Sequence, residues 1–211
     1  MHKVTVRRLS AGGGAAWPAV RELCCRSGDN GDPILVERWE LFSRIWIEPY
    51  EKLLPEWSYA AESGARVVGY LTGCPDSRRF YRAKAWRMTL PLLLAIAWGR
   101  YRHVAGAGAF AKQALGLRPG VESYFSRPLR RDLTLGYPAH LHINIDVAHR
   151  GRGVGRRLID SYFADLRDQG VPGVHIFCGA GPVPFYRKQG FQVLESADIR
   201  GLMTLAMGVR L

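Results

Sequence analysis

Residues 149–157 read His-Arg-Gly-Arg-Gly-Val-Gly-Arg-Arg and join a strand-like run, 141–147, to a helix-like run, 156–169. A strand, a tight basic loop rich in glycine and a helix N-terminus together form a site suited to phosphate. The first amides of a helix have no partner within the helix, and the helix dipole there favours an anion. Glycine lets these amides approach a ligand without an intervening Cβ. The stretch therefore predicts a cofactor that carries phosphate.

The loop differs from two common phosphate-binding patterns. It lacks the Gly-Lys-Ser/Thr ending of the Walker loop, and Arg156 stands where the dinucleotide pattern needs its third glycine. It does contain Arg-x-x-Gly-x-Gly, at Arg150, Gly153 and Gly155. A second block, Phe-Tyr-Arg-Lys-Gln-Gly-Phe at 185–191, follows after a strand-like run. In this order and spacing, the two blocks resemble the signatures of the GCN5-related N-acetyltransferase (GNAT) superfamily.

The periodicity of apolar residues predicts an α/β (α+β) chain with the element order β-α-α-β-β-insertion-β-α-β-α-β-β. The resemblance implies the same order, a mixed and mostly antiparallel sheet flanked by helices, with a helical insertion before the central strand. We expect one acetyltransferase-like domain over 1–211. The expected strands are 4–9, 57–62, 66–73, 140–147, 174–178, 191–195 and 202–211. The expected helices are 15–26, 36–54 (bent or divided at Pro49), 153–169 and 182–188, and residues 11–14 and 27–33 are expected loops.

The insertion, 77–137, is basic and mainly helical by pattern. We expect helices over 80–102, broken near Pro91, and over 109–117, followed by a looser tract over 124–137. No acidic residue occurs between Asp76 and Glu122, an interval that holds nine of the 30 Lys and Arg residues of a chain with net charge +12. Such a surface can serve an acidic partner, a membrane surface or nucleic acid, or it can be a solvated face.

Composition narrows the class of protein. An apolar content of 47% is ordinary for a globular chain. The four cysteines show neither C-x-x-C spacing nor a histidine at metal-binding spacing, which predicts reduced thiols, no metal and a cytoplasmic location. The N-terminus has no apolar segment typical of a signal peptide. The longest apolar run, 90–98, is too short to span a bilayer, so we expect no membrane partner.

The resemblance implies acetyl-CoA as cosubstrate and assigns residues to it. The backbone from Ile145 to Val147 is expected beside the pantetheine arm, and amides of the loop are expected to hold the pyrophosphate. Arg150, Arg152 and Arg157 can add charge, although Arg157 can equally be plain helix surface. The expected cofactor-binding residues are Ile145, Val147, Arg150, Gly151, Arg152, Gly153, Val154, Gly155 and Arg156.

Three catalytic residues are expected. Tyr186 stands where the family places its tyrosine acid, and a phenol is protonated at neutral pH. His142 and Asp146 are candidate bases, with His142 preferred because imidazole suits proton transfer, and His140 and His175 are further candidates. The alternatives are a tyrosine packed on the sheet and, for 142–146, a structural polar cluster beneath the insertion.

The second block also departs from the family pattern. Gly179 stands in place of the usual asparagine, and Pro182 stands in place of the usual alanine. The run of glycine and proline at 179–184 therefore leaves open which contacts this loop makes with the pantetheine or adenine. Aromatic side chains in the first helices and the insertion are expected to be mostly core: Trp39, Trp46, Trp57, Tyr81 and Trp86.

The leading hypothesis is an N-acetyltransferase that moves an acetyl group from acetyl-CoA directly to an amine on a small molecule or a protein. A non-catalytic acyl-CoA-binding module is the alternative. Nucleic-acid binding through the insertion has no recognition motif behind it, and a homodimer is possible. The strand before the loop and the long insertion also resemble the acetyltransferase-like domain of O-GlcNAc hydrolases and its bacterial relatives.

Overall fold

The computed structural model describes residues 3–10, 16–28 and 32–211. The expected loop at 11–14, residue 15 of the first expected helix and residues 29–31 of the next turn lie outside these ranges. Seven strands form one sheet in the order β1-β2-β3-β4-β5-β7-β6. Their bounds are β1 Val4–Arg8, β2 Ser58–Ser63, β3 Arg66–Cys74, β4 Ala139–Ile145, β5 Gly173–Cys178, β6 Gln192–Ile199 and β7 Leu202–Arg210.

Helices cover both faces of the sheet, and the predicted element order is confirmed. The helices are α1 Ala16–Arg26, α2 Trp39–Trp46, α3 Glu48–Leu53, α4 Ser77–Lys84, α5 Leu90–Ala97, α6 Ala107–Ala114, α7 Arg127–Leu135, α8 Val154–Asp168 and α9 Val183–Arg187. The expected helix over 36–54 is divided at Ile47, and Pro49 lies in the first turn of α3, where its missing N–H costs no helical hydrogen bond.

Helix α8 packs across the middle of the sheet on one face. Its apolar side is fully buried, with Leu158, Ile159 and Leu166 in the main core. The Tyr162 hydroxyl donates to the carbonyls of Cys74 and His140, at 2.8 Å in each case. Because these carbonyls belong to the neighbouring strands β3 and β4, the tyrosine fixes the helix to the centre of the sheet.

Strands β4 and β5 are parallel but separate after two residue pairs. Ala139 pairs with Val174 and His140 with His175, and no further pair follows among the described residues. Beyond this point β4 stays paired with β3 as far as Ile145, and β5 stays paired with β7. The edge of β4 that faces β5 is therefore open over residues 141–145, in the middle of the sheet.

The first half of the insertion is more continuous than the sequence predicts. Helix α4 begins at Ser77, where the Asp76 side chain accepts from the Arg79 amide at 2.9 Å. A π-helical turn, Ala85–Thr89, leads directly into α5, with Pro91 in its first turn. The expected break at Pro91 is wrong, because the wider turn leaves room for the ring of a residue that cannot donate.

The expected looser tract over 124–137 is also wrong. Ser126 caps α7 by accepting from the Leu129 amide, and Leu129 and Leu133 are buried. They pack with Phe125, Tyr137 and side chains of β5 to β7 on the face opposite α8. The C-terminal part of the insertion therefore completes the core, although its arginine-rich sequence resembles a loop.

Candidate active site

The loop after β4 is built on Asp146. Its carboxylate accepts from the Ala148 amide at 2.9 Å and pairs with Arg66 at 2.7 Å, and its amide donates to Val68. Partial burial alone would raise the pKa of Asp146, but the hydrogen bond from the Ala148 amide and the nearby charges lower it overall. The side chain thus holds the turn Val147–His149 in place, and this contact set favours a structural role over that of a base.

Six consecutive amides follow this turn without a partner. Gly151 and Gly153 have φ of 72° and 73°, a left-handed conformation that favours glycine. The first hydrogen bond of α8 runs from the Arg157 amide to the Gly153 carbonyl at 3.1 Å. Within the described ranges, the N–H groups of residues 151–156 donate to no acceptor. The loop therefore offers an array of free donors at the positive end of a helix, as the sequence predicts.

The two sequence blocks meet in space at Gly155. A Cβ on Gly155 would lie 2.9 Å from the ring of Phe185, too close for an undisturbed contact. Phe185 belongs to α9, so the last glycine of the loop lets α9 approach the first turn of α8. The two motifs form one site because the glycine leaves room for the aromatic ring.

The arginines of the loop divide into two groups. Arg157 donates to the Val4 carbonyl at 2.9 Å and so connects α8 to β1. This contact favours a structural role on the helix surface over a role in binding phosphate. Arg156 lies 3.5 Å from Asp160 in the next turn. Arg150 donates from Nε to the Ile145 carbonyl at 3.2 Å, and Arg152 is exposed. Arg150 and Arg152 remain the side chains best placed to add charge at the free amides.

Tyr186 lies on α9, the short helix that follows β5. It is 9% exposed and packs edge-on against Phe191 in the main core. Its hydroxyl makes no hydrogen bond with any described residue, although the hydroxyl is not sealed from solvent. Burial raises the pKa of Tyr186, with the Cys178 thiol as a second cause, so the phenol stays protonated. A free, protonated donor is what an acid at this position requires.

His142 lies on the opposite face of the sheet from α8. Trp46 stacks on its ring at 5.8 Å between centroids, and the Tyr70 hydroxyl lies 3.3 Å from its Nδ1. Asn144 donates to the same hydroxyl at 2.8 Å, so the predicted shared polar face of His142 and Asn144 is present. Burial lowers the pKa of His142 to about 4, and the Lys84 charge adds to the effect. The imidazole is therefore neutral at pH 7.

The other two histidine candidates are occupied by structural contacts. His140 lies 2.7 Å from both the Tyr50 hydroxyl and the Ser77 hydroxyl, and Tyr81 stacks on its ring. His175 donates from Nδ1 to the Tyr137 carbonyl at 2.6 Å. Both rings are buried, and each is held by partners that fix its position in the sheet.

Sequence reasoning missed Lys84 altogether. Lys84 is the last residue of α4. Its Nζ donates at 3.0 Å to the carbonyl of Ile45, which lies in the last turn of α2. Burial lowers its pKa to about 8. Its contact joins the insertion to the helix that carries Trp46, so it positions the aromatic ring above His142. A single lysine in a helical pattern gives no sequence signal for such a role.

The expectation that the aromatic residues are mostly core is wrong. Trp46 and Tyr81 are each 45% exposed, and Trp86 is 71% exposed. Trp39 and Trp57 are only partly buried. Trp46 and Tyr81 lie over His142 and His140, so they line the side of β4 from which an acceptor can approach.

The histidines of β4 and β5 predict a loss of stability in acid. Burial lowers the pKa of His140, His142 and His175 below the ordinary 6.5, so the unfolded chain binds protons at a higher pH than the folded chain. Stability should therefore fall as the pH drops below about 6.5. For His142 the expected loss by pH 5 is on the order of 1–2 kcal/mol in the free energy of unfolding.

Urea unfolding of the wild type and of His142→Gln at pH 7 and pH 5 checks this prediction. The variant should lose less stability than the wild type over this interval. The same substitution at the exposed His103 should leave the acid loss unchanged. Equal acid losses in the wild type and in His142→Gln would contradict the burial described for His142.

Cys24, Cys25, Cys74 and Cys178 are all free thiols. In residues 3–10, 16–28 and 32–211, His, Cys, Asp and Glu form no cluster suited to a metal ion. Over the same ranges, no helix has the length and apolar character needed to cross a bilayer.

Comparisons with known proteins point to an acetyltransferase fold. The family model for the acetyltransferase (GNAT) domain matches residues 126–193, which hold both sequence blocks. The crystal structure of a protein designated SsHAT is 27% identical, covers 99% of this chain and 98% of its own, and has a TM-score of 0.72.

Two further structures share the fold at lower identity. Ribosomal-protein-alanine N-acetyltransferase from Brucella melitensis is 18% identical, with 98% and 99% of the two chains covered and a TM-score of 0.55. The yncA protein from Salmonella typhimurium, solved with its cofactor acetyl-CoA, is 15% identical, with 99% and 94% covered and a TM-score of 0.53. The mixed sheet with its flanking helices is therefore a GNAT fold.

Proposed function

We propose that this chain is an acetyl-CoA-dependent acetyltransferase of the GNAT superfamily. In this proposal it transfers the acetyl group directly from acetyl-CoA to an amine. The observation that carries the proposal is the continuity of two features: the open edge of β4 over 141–145 runs into the free amides of 151–156. An extended pantetheine arm can add to that edge, and its pyrophosphate can accept from the amides.

The residues around the gap support direct transfer. The Val147 amide donates to no acceptor among the described residues, so it is free to polarise the thioester carbonyl. As the amine nitrogen bonds to the carbonyl carbon, neutral His142 accepts the amine proton. The carbon–sulfur bond then breaks, and the Tyr186 hydroxyl donates to the departing sulfur. The products are the acetylated amine and CoA.

The acceptor is expected to enter over His142, between Trp46 and Tyr81. These exposed aromatic rings border the polar face of β4, whereas α8 closes the other face. We assign His142 as the base and Asp146 as the residue that holds the loop, because only the histidine lies on this face without a charged partner. The solvent-exposed rings of Trp46 and Tyr81 suit either a small amine or an amine on a protein.

Within the superfamily we assign the chain to the subgroup that resembles the acetyltransferase-like domain of O-GlcNAc hydrolases. The long insertion between β3 and β4 supports this assignment, because α7 at its end completes the core beneath β6 and β7. The insertion is thus part of the domain and not a separate module.

The release of CoA thiol, measured with acetyl-CoA and a panel of amines, tests the proposed function. The panel comprises spermidine, phenethylamine, lysine and a lysine-containing peptide. We expect amine-dependent release with at least one member, lost in His142→Gln. Binding of acetyl-CoA without release for any amine would favour the non-catalytic binding module. Neither binding nor release would contradict the proposed function.

A further inference from the structure

The first half of the insertion carries an exposed apolar row. Trp86, Leu90, Leu94 and Trp98 follow one another at four-residue spacing along the continuous segment from α4 to the end of α5. Their exposed fractions are 71%, 44%, 51% and 87%. Residues spaced by four lie on one side of a helix, so these side chains form a single row, about 18 Å long. A monomeric protein rarely leaves such a row uncovered.

The same spacing continues into arginines at both ends of the row. Arg78 and Arg82 precede it and Arg102 follows it, and all three are exposed. None of them lies within 4.0 Å of a carboxylate in the described part of the chain, whereas Arg100 on the same segment pairs with Glu40 at 2.8 Å. The row is therefore apolar and has free positive charge on α4 before it, while Arg102 follows in the turn beyond the end of α5.

The row is held rigidly from beneath. Leu92 and Tyr101 are each 3% exposed and pack with Leu41 of α2 and Ala107 of α6. The segment is thus fixed with one side in the core and the row facing outward. The exposure of the row does not come from a loose helix.

We propose that this row docks the protein on an anionic lipid surface, with the segment from α4 to α5 lying along the membrane plane. Leucine in the middle can enter the acyl boundary, tryptophan is suited to the headgroup level, and arginine can reach lipid phosphates. Residues 77–121, between Asp76 and Glu122, contain no acidic residue, so no carboxylate within this stretch repels an anionic headgroup.

Two other occupants fit the row less well. A second copy would bring two arginine-rich faces together, and like charges at an interface are unfavourable. An acidic protein would match the arginines but would have to supply an apolar groove between its charges. A lipid surface offers an apolar layer behind a layer of negative charge, in the arrangement that the row presents.

Cosedimentation of the full chain with vesicles tests the proposal. We expect binding to equimolar phosphatidylglycerol and phosphatidylcholine, weak binding to phosphatidylcholine alone, and release by salt. The double substitution Trp86→Ala and Trp98→Ala should weaken binding at least tenfold. Arg78→Gln with Arg82→Gln should weaken it about fivefold for each arginine. The matched control, Leu35→Ala with Val36→Ala, removes side chains that are 59% and 73% exposed elsewhere and should bind as the wild type does.

Thermal unfolding and CoA release should be unchanged in the tryptophan variant, which shows that it is folded. Three results would overturn the proposal. The first is no binding of the wild type to anionic vesicles, or binding that survives both tryptophan substitutions. The second is a wild-type dimer in light scattering that the same substitutions dissociate, which would make a second copy the occupant. The third is binding to poly-glutamate without binding to vesicles, which would favour an acidic protein.

Discussion

Replacing Tyr186 with phenylalanine is expected to lower kcat about a hundredfold while the Kd for acetyl-CoA stays within twofold. The substitution removes only the hydroxyl, and this hydroxyl makes no hydrogen bond within the described chain. No internal contact is therefore lost. What is lost is the donor to the departing sulfur, and removal of one donor at a developing charge typically costs 10² or more in rate.

The matched control for this prediction is Tyr124→Phe. Tyr124 is partly buried and lies in the insertion, in a turn that contacts β6, so kcat should be unchanged. Thermal unfolding of both variants should match the wild type. A Tyr186→Phe variant with wild-type kcat would show that the hydroxyl takes no part in transfer and that Tyr186 only packs on the sheet.

Gly173→Ala is expected to destabilise the fold by about 3 kcal/mol. Gly173 begins β5, one residue before the first pair that β5 makes with β4. A Cβ there would lie 2.5 Å from the Gly136 carbonyl oxygen and 2.8 Å from the Val209 carbonyl oxygen. Both neighbours are backbone atoms, and they come from two different segments, so neither can move as a flexible side chain would. The whole register of β5 with β7 must shift to make room.

Urea unfolding of Gly173→Ala beside Gly179→Ala measures this effect. Gly179 follows the same strand, has no positive φ, and its added Cβ would meet nothing within 4 Å. Its substitution should change the free energy of unfolding by less than about 0.5 kcal/mol. Similar stabilities for the two variants would contradict the close approach of the three backbone segments at Gly173.

The sequence predicted the central part of the fold well, because the alternation of a strand, the apolar periodicity of a helix and the two motifs agreed there. Alternation predicted a strand over 140–147, which the structure shows as β4 ending at Ile145, and the glycine-rich loop placed the start of α8 within one residue. The contact between the two motifs was not predictable, because it depends on the tertiary packing of Phe185 against Gly155, which has no Cβ to block the ring. Spacing along a chain carries no information about such an approach.

The insertion was predicted less well, for physical reasons that differ from residue to residue. Pro91 is read as a helix break, yet a π-helical turn accommodates it. Helix α7 contains Arg127, Pro128, Arg130 and Arg131, and only Leu129 and Leu133 mark its buried side. Tryptophan is usually assigned to the core, so the exposure of Trp86 and Trp98 was not foreseen.

The roles of polar residues in the candidate site were also ambiguous from sequence. Alternation places His142, Asn144 and Asp146 on one face of an ideal strand. The strand ends at Ile145, however, and Asp146 turns to cap the following residues. Asp146 pairs with Arg66, whereas His142 has no charged partner among the described residues. This difference depends on tertiary contacts, which the local sequence pattern does not contain.

Thermal unfolding with excess acetyl-CoA, for the wild type, Arg156→Ala and Arg156→Pro, tests the cofactor site most directly. Both variants lose the ion pair with Asp160, but only proline removes an amide from the free array of 151–156. Arg156 lies in the first turn of α8 after a glycine, where a proline is tolerated. At about a hundred times its Kd, acetyl-CoA should stabilise the wild type and Arg156→Ala by about 2.7 kcal/mol, and Arg156→Pro clearly less. Stabilisation that is equal in all three proteins, or absent from the wild type, would contradict acetyl-CoA binding by the loop amides.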